Sequence, residues 1–332
     1  MVFLIFILFL SIAVSTSLGS VSIPPFEVIK IILARVPLFG KYLKSSASLP
    51  YQVIVLGLRL PRILLCALVG SSLACAGVVM QGLFKNPMAS PYVIGVSSGS
   101  SFGAALAIFL FSALFSVPLL AFIVGLMTVL LVYRISQREG RVMMETLLLA
   151  GIAVGFFFSA VTSFLMYLRA ESLHFLVFWV MGGFSGRNWG HVFTILPLVG
   201  MGIPAIYCFS RDLNVIQLGE ESAANLGVEV DKIKIILLVL SSLITAAAVS
   251  VSGVIGFVGL IIPHITRILV GPDHRFLIPS SVLIGAIFLV WCDNLARILI
   301  SPAELPVGVI TAFFGAPFFI YLLRKTLSRR ER

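Results

Sequence analysis

Apolar residues run through this chain in successive stretches of about 20, broken only by short polar links, and no other property limits its fold so tightly. Such runs cannot be folded into one water-soluble core when 60% of the residues are hydrophobic and only 11% are charged. The bilayer must act as solvent. Because the runs are continuous rather than alternating, a β-barrel is excluded and an all-α polytopic membrane protein of about ten transmembrane helices is expected. Spans are placed near 1–18, 60–83, 91–112, 116–133, 144–168, 191–209, 233–255, 258–270, 277–297 and 305–323.

The first 26 residues carry no charged side chain. They lack the basic start and small-residue cleavage site of a secretory signal, so a retained first span is expected. The eighth span is too short to cross alone, and must be tilted, buried in protein or joined to broken helix, because lipid does not tolerate bare irregular backbone. The link from Ser20 to Leu58, with Pro24, Pro25, Glu27, Lys30, Arg35, Lys41 and Lys44, reads as a loop with an amphipathic segment at the outer interface. No domain boundary is visible, and residues 1–332 read as a single transmembrane domain.

The net charge of +10 is spread over the ends of the apolar runs, which is a topology signal and excludes a nucleic-acid surface. Arg134, Arg138 and Arg141, with the tail Arg324, Lys325, Arg329, Arg330 and Arg332, belong on the cytoplasmic side. Ten spans then put both termini inside the cell membrane. The same parity puts the link at 210–232 inside. From Arg211 to Lys234 this region holds five of the chain's thirteen acids. A membrane protein that concentrates scarce charge on one short helical connection is presenting it to a soluble partner, read here as the docking helix of a transporter driven by a separate ATPase.

The same parity sends Arg59, Arg62 and Arg297 to the outer face, against the usual bias. Their forked guanidinium groups suit an acidic partner, with snorkelling to lipid phosphate as the alternative. Pro87 and Pro91 prevent a smooth helix between the second and third spans, leaving either a break lined by Gln81 and Asn86 that narrows a pathway or an ordinary tight turn. Glu145 and Asp293 are the membrane-proximal acids, functional by default unless an interface solvates them. Gly95, Gly99 and Gly103, and Gly151 with Gly155, repeat at four-residue spacing for close helix packing. Cys66, Cys75, Cys208 and Cys292 read as buried small hydrophobes, and His264 as a structural histidine.

Gly253 to His264 is glycine-rich but carries neither a Walker lysine nor a dinucleotide fingerprint, so the chain itself is not expected to hydrolyse ATP. No convergent acid, base or metal set points to an enzyme. An ion-coupled secondary transporter is the alternative, and would need intramembrane carboxylates paired near the midplane, which are scarce here.

Several segments, in order over about residues 55–325, resemble the FecCD-type permeases, the membrane subunits of type II ABC importers for iron-siderophores, haem and vitamin B12. They are Arg59-Leu60-Pro61-Arg62, Gln81 to Pro91, Leu148-Leu149-Ala150-Gly151, Trp179 to Gly183, Leu218 to Gly227, Gly256 to Leu260 with Pro263-His264, and Glu304 to Gly308 with Gly315-Ala316-Pro317. The resemblance implies the type II importer permease fold, a homodimer with its pathway on the two-fold axis, two cytoplasmic ABC ATPase subunits that hold ATP and Mg, and an extracytoplasmic substrate-binding protein. No cofactor is implied in this chain. By resemblance, Arg59, Arg62 and Arg297 meet acids of the binding protein, and Leu218, Gly219, Glu220, Glu221, Ala223, Leu226 and Gly227 form the coupling helix on the ATPase. Gates correspond to Asn86 and Met88, and to Met144 and Glu145. At the second gate the small hydroxyl residues of the vitamin B12 importer are replaced by Met and Glu, which hints at another cargo. Iron-siderophore comes first on family frequency, with corrinoid, haem and molybdate or tungstate behind it.

Overall fold

The computed structural model describes residues 1–19, 23–35, 49–111, 116–138, 141–169 and 173–330. In chain order its helices are α1 (Val2–Ser17), α2 (Pro25–Leu33), α3 (Leu49–Gln52), α4 (Leu60–Leu83), α5 (Val96–Phe111), α6 (Ser116–Ser136), α7 (Met144–Leu168), α8 (Leu173–Met181), α9 (Trp189–Cys208), α10 (Ser210–Gln217), α11 (Glu220–Asn225), α12 (Val230–Ser252), α13 (Val258–Val270), α14 (His274–Ile298) and α15 (Val307–Arg330). A two-residue antiparallel pairing of β1 (Gln137–Arg138) with β2 (Arg141–Val142) joins α6 to α7. Among the described residues, six helices are long and apolar enough to cross a membrane, and four shorter apolar ones accompany them. Together they account for the ten expected spans. Lys41, Lys44 and Arg332 lie outside the described residues.

Polar side chains start several helices by accepting the backbone donors that a first turn leaves free. Asn188 opens α9 by accepting from Gly190 N at 3.0 Å, and Asp273 opens α14 by accepting from Arg275 N at 3.0 Å. Ser90 does the same for a 3₁₀ turn over Pro91–Ile94. The second span begins earlier than expected. A π-helical stretch, Val53–Arg59, links α3 to α4, so helix runs from Leu49 to Leu83. The cause is packing against α2: Val55 joins Ile23, Val28 and Ile31 in a small buried cluster, so part of the expected loop has an apolar face to cover. The amphipathic segment itself is α2, which buries Val28 and Ile31 and exposes Phe26 and Ile29.

Helix α4 lies at the centre, packed against α14, α12, α13, α9 and α1. The most apolar window of its span is 78% buried, against 72% for α12 and only 22% for α7, so α7 keeps most of its surface for lipid or a partner. Close approach makes the centre possible. A side chain at Gly77 would run into the carbonyl of Gly259 on α13, and one at Gly70 into the carbonyl of Gly285 on α14. Gly99, Gly103 and Gly151 are packed the same way, against Thr128, Leu120 and Val93, whereas Gly155 is looser. Cys66, Cys75 and Cys292 are buried as expected, but Cys208 is exposed at the last position of α9.

The short eighth span is explained by the segment before it. Between α12 and α13 the chain is irregular, yet its polar groups are met inside the protein: Gly183 N donates to Ser252 O at 2.7 Å and Tyr92 Oη to Ile255 O at 2.8 Å. Gly253 turns the chain at φ 69 with no room for a side chain beside the carbonyl of Trp179.

Replacing Gly77 with Val should destabilise the purified protein in detergent by about 3 kcal/mol, because backbone meets backbone there. Gly200→Ala, at an open helical position, should shift stability by no more than about 1 kcal/mol, in the stabilising direction. Thermal unfolding of the two variants side by side measures the difference, and equal losses would contradict the packing described.

Candidate functional site

Two polar clusters lie at opposite ends of α4 and α14. At one end the three arginines singled out in the sequence come together, but Arg59 and Arg297 sit beneath the surface, only 7% and 8% exposed. The three expected docking residues are thus gathered at one end of the bundle, with Arg62 partly exposed. Their partners are in this chain. Arg62 pairs with Asp293 at 2.8 Å and with Glu304 at 2.9 Å, and Arg297 pairs with Asp293 at 3.2 Å. Asp293 is fully buried, so no interface solvates it, and it divides its two oxygens between two guanidinium groups.

The remaining guanidinium donors reach the end of α1. Arg59 donates to Thr16 O at 3.0 Å and Ser17 O at 3.1 Å, and Arg297 to Leu18 O at 3.1 Å and Ser15 O at 3.2 Å. These are the carbonyls that a helix C-terminus leaves unpaired, at the negative end of its dipole. The hydroxyls buried along α1 serve the same contact. Ser15 Oγ donates to Asn294 Oδ1 at 2.6 Å, Ser11 accepts from Trp291 Nε1 at 3.1 Å, and Arg297 also donates to Asn294. Within this cluster Asp293 and Glu304 supply the countercharges for Arg62 and Arg297.

The segment expected as a single coupling helix at 218–227 is shorter than that. Only α11, Glu220–Asn225, is helical, and Gly219, at φ 129, separates it from α10. Leu218 and Gly219 lie in the break and Leu226 and Gly227 just beyond α11. Ala223 is buried against Ile216 and Val230, while Leu218 and Leu226 stand 72% and 66% exposed on either side. Glu220 pairs with Lys234 of α12 at 2.5 Å, and Glu221 is exposed.

Helix α10 holds this segment to the bundle. Asn214 Oδ1 accepts from His274 N at 2.9 Å and from its Nδ1 at 2.7 Å, which fixes the proton on Nδ1 since an amide oxygen can only accept. Asn214 Nδ2 donates to Asp273 at 2.7 Å. Hydrogen bonds from Arg275, and then from Asn214, hold the Asp273 carboxyl well below the usual carboxylate range. Gln217 Nε2 donates to Gly82 O at 2.7 Å, on the last turn of α4.

Asn86 and Met88 form a tight turn just after α4, with Met88 N donating to Asn86 Oδ1 at 2.9 Å and Lys85 at φ 48. Gln81 does not line a break. It is buried, donating to Leu260 O at 3.0 Å. Met144 and Glu145 open α7 and share a cavity of about 1040 Å³ with Glu220, Glu221, Glu229 and Asp231. The second gate pair is thus brought to the coupling segment across open space, and the first is not among the residues that line it. His264 lies edge-on to Phe318, 6.3 Å between ring centres, in keeping with the structural reading. Sequence reasoning missed Glu304, Asn294, Gln217 and His274. Only Asp293 and Arg297 carried a signal, the i,i+4 spacing that places opposite charges on one helical face.

The model of the FecCD transport family matches residues 5–325. The cobalamin import system permease protein BtuC of Halobacterium salinarum is 49% identical over 274 residues, 82% of this chain and 74% of that protein. The Fe(3+)-citrate import system permease protein YfmD of Bacillus subtilis is 40% identical over 286 residues, 86% of this chain and 85% of that protein. A solved structure described as an inward-facing, metal-chelate type ABC transporter superposes with a TM-score of 0.85 at 35% identity, covering 97% of both chains.

Asp293→Asn should cost about 3–5 kcal/mol, since it takes the countercharge from buried Arg297 and leaves Arg62 with Glu304 alone. Glu304→Gln, at a half-exposed acid whose partner keeps Asp293, should cost no more than about 1 kcal/mol. Equilibrium unfolding in mixed micelles gives both values, and the reverse order would contradict this account of the cluster.

Proposed function

The chain belongs to the FecCD transport family and is a multi-pass ABC transporter permease, and from that premise we propose that it serves an ATP-driven importer of a metal chelate. Two copies enclose the pathway, a binding protein delivers cargo at the arginine end, and two ATPase subunits grip the other end. Both termini then lie in the cytoplasm, and ATP with its Mg is held by the ATPases. The observation that carries the reading is the pair of exposed leucines, Leu218 and Leu226, flanking a short acidic helix at one end of the bundle. Exposed large apolar side chains on a polar surface mark a contact with a soluble partner.

Work is done by differential binding. If the ATPases grip α11 more tightly in one state of the pair than in the other, nucleotide shifts the permease between outward and inward arrangements. At the opposite end the forked guanidinium groups of Arg59, Arg62 and Arg297 suit acidic lobes of the binding protein. Arg62 is the member that meets the surface acid Glu304, so it is the first of the three to exchange partners.

Corrinoid is the preferred cargo, because similarity is greater to the cobalamin permease than to the ferric citrate one. A ferric chelate is the second reading, favoured by the Met144–Glu145 pair where the vitamin B12 importer carries small hydroxyl residues.

Proteoliposomes holding the permease, its ATPase and its binding protein should take up cyanocobalamin in an ATP-dependent way, and a catalytically dead ATPase should reduce uptake to background. Uptake that follows an ion gradient and ignores ATP would sink the reading in favour of secondary transport. Ferric citrate taken up in place of cyanocobalamin would reverse the order of cargoes. Glu304→Lys should speed association with the binding protein by about tenfold at low ionic strength, and the gain should fade as salt is added.

A further inference from the structure

We propose that α10 is the strut that carries movement of the coupling segment to the Asn86–Met88 turn, and that Gln217 is the positioning residue that joins the two. This rests on the permease reading above and adds to it a route and a residue.

The contact is built from three elements meeting at one point. Gly82 lies on the last turn of α4, four positions before Asn86. Its carbonyl accepts from Lys85 N at 3.2 Å and from Gln217 Nε2 at 2.7 Å. A methyl group on Gly82 would stand 3.3 Å from both Nε2 of His274 and a methyl carbon of Leu213. The glycine leaves room for both neighbours, and the hydrogen bond from Gln217 is what ties α10 to the end of α4. On the adjoining face α10 is tied to α14 through the three hydrogen bonds of Asn214 with His274 and Asp273.

The other end of the strut is equally well defined. Ile216 of α10 and Ala223 of α11 share a buried cluster with Val230, so α10 and α11 move as one piece. The turn after α4 depends on that last helical turn, with Asn86 N donating to Gln81 O at 3.2 Å. Contact therefore runs without a gap from α11 through Gln217 to Gly82 and on to Asn86. Between α11 and the Met144–Glu145 pair lies the cavity instead. A push on the coupling segment reaches the first gate by contact before it reaches the second.

The test uses the reconstituted permease–ATPase complex with Cys208→Ser, to remove the exposed native thiol, and Lys85→Cys carrying an environment-sensitive fluorophore beside the turn. In this background ATP should change the emission. Gln217→Leu and Gln217→Glu, which keep the bulk but lose the donor, should reduce that change about tenfold while ATP hydrolysis stays within about twofold. Gln217→Lys, which restores a donor within reach of Gly82 O, should recover it. An unchanged response in the first two variants overturns the proposal. So does a loss of response that is matched by loss of hydrolysis, since that is damage to folding or assembly. A background that binds no ATPase is a different failure, and takes the permease reading down with the strut.

Discussion

Hydrocarbon offers a polar group nothing to bond with, and most of this structure follows from that fact. The apolar runs become helices because helices satisfy their own backbones. Where the backbone must leave the helix, between α12 and α13, it is wrapped in protein and its groups are bonded to Gly183 and Tyr92. Where charge must be buried, as at Asp293, it is shared between Arg62 and Arg297, and the spare donors of Arg297, with those of Arg59, cap the carbonyls at the end of α1. Ser15, buried near the end of that helix, adds its hydroxyl as a further acceptor for Arg297.

The two ends of the bundle meet this demand differently, and the difference is functional. The arginine end is closed, with most of its charge answered from within the chain. At the other end, the exposed Leu218 and Leu226, the exposed Glu221 and a broken helix face outward. On the function proposed above, the first surface meets a visiting binding protein and lets it go, and the second stays attached to an ATPase.

How much was legible in the sequence depended on the range of the interaction. Span count, and the limits of α7 and α13, could be read from runs of apolar residues because that signal is local. The helical character of Leu49 to Arg59 could not, since it comes from packing on α2. Arginines 59, 62 and 297 were identifiable as unusual, yet their partners Asp293, Glu304 and the carbonyls of α1 are distant in the chain for all but one pair. The break at Gly219 looked like part of one helix because nothing nearby but the glycine marks it. Gln217 and His274 gave no sign at all, as an ordinary amide and an ordinary imidazole acquire meaning only from what the fold sets beside them.

The glycine contacts of α4 have a mechanical corollary. With Gly70 lodged against Gly285 and Gly77 against Gly259, three helices interlock like cogs, and none can slip along another by less than a full tooth. The centre of the permease therefore turns as a solid wheel. Relative movement is left to what adjoins that trio, such as the turn after α4, and to outer spans such as α7, little of whose surface is covered.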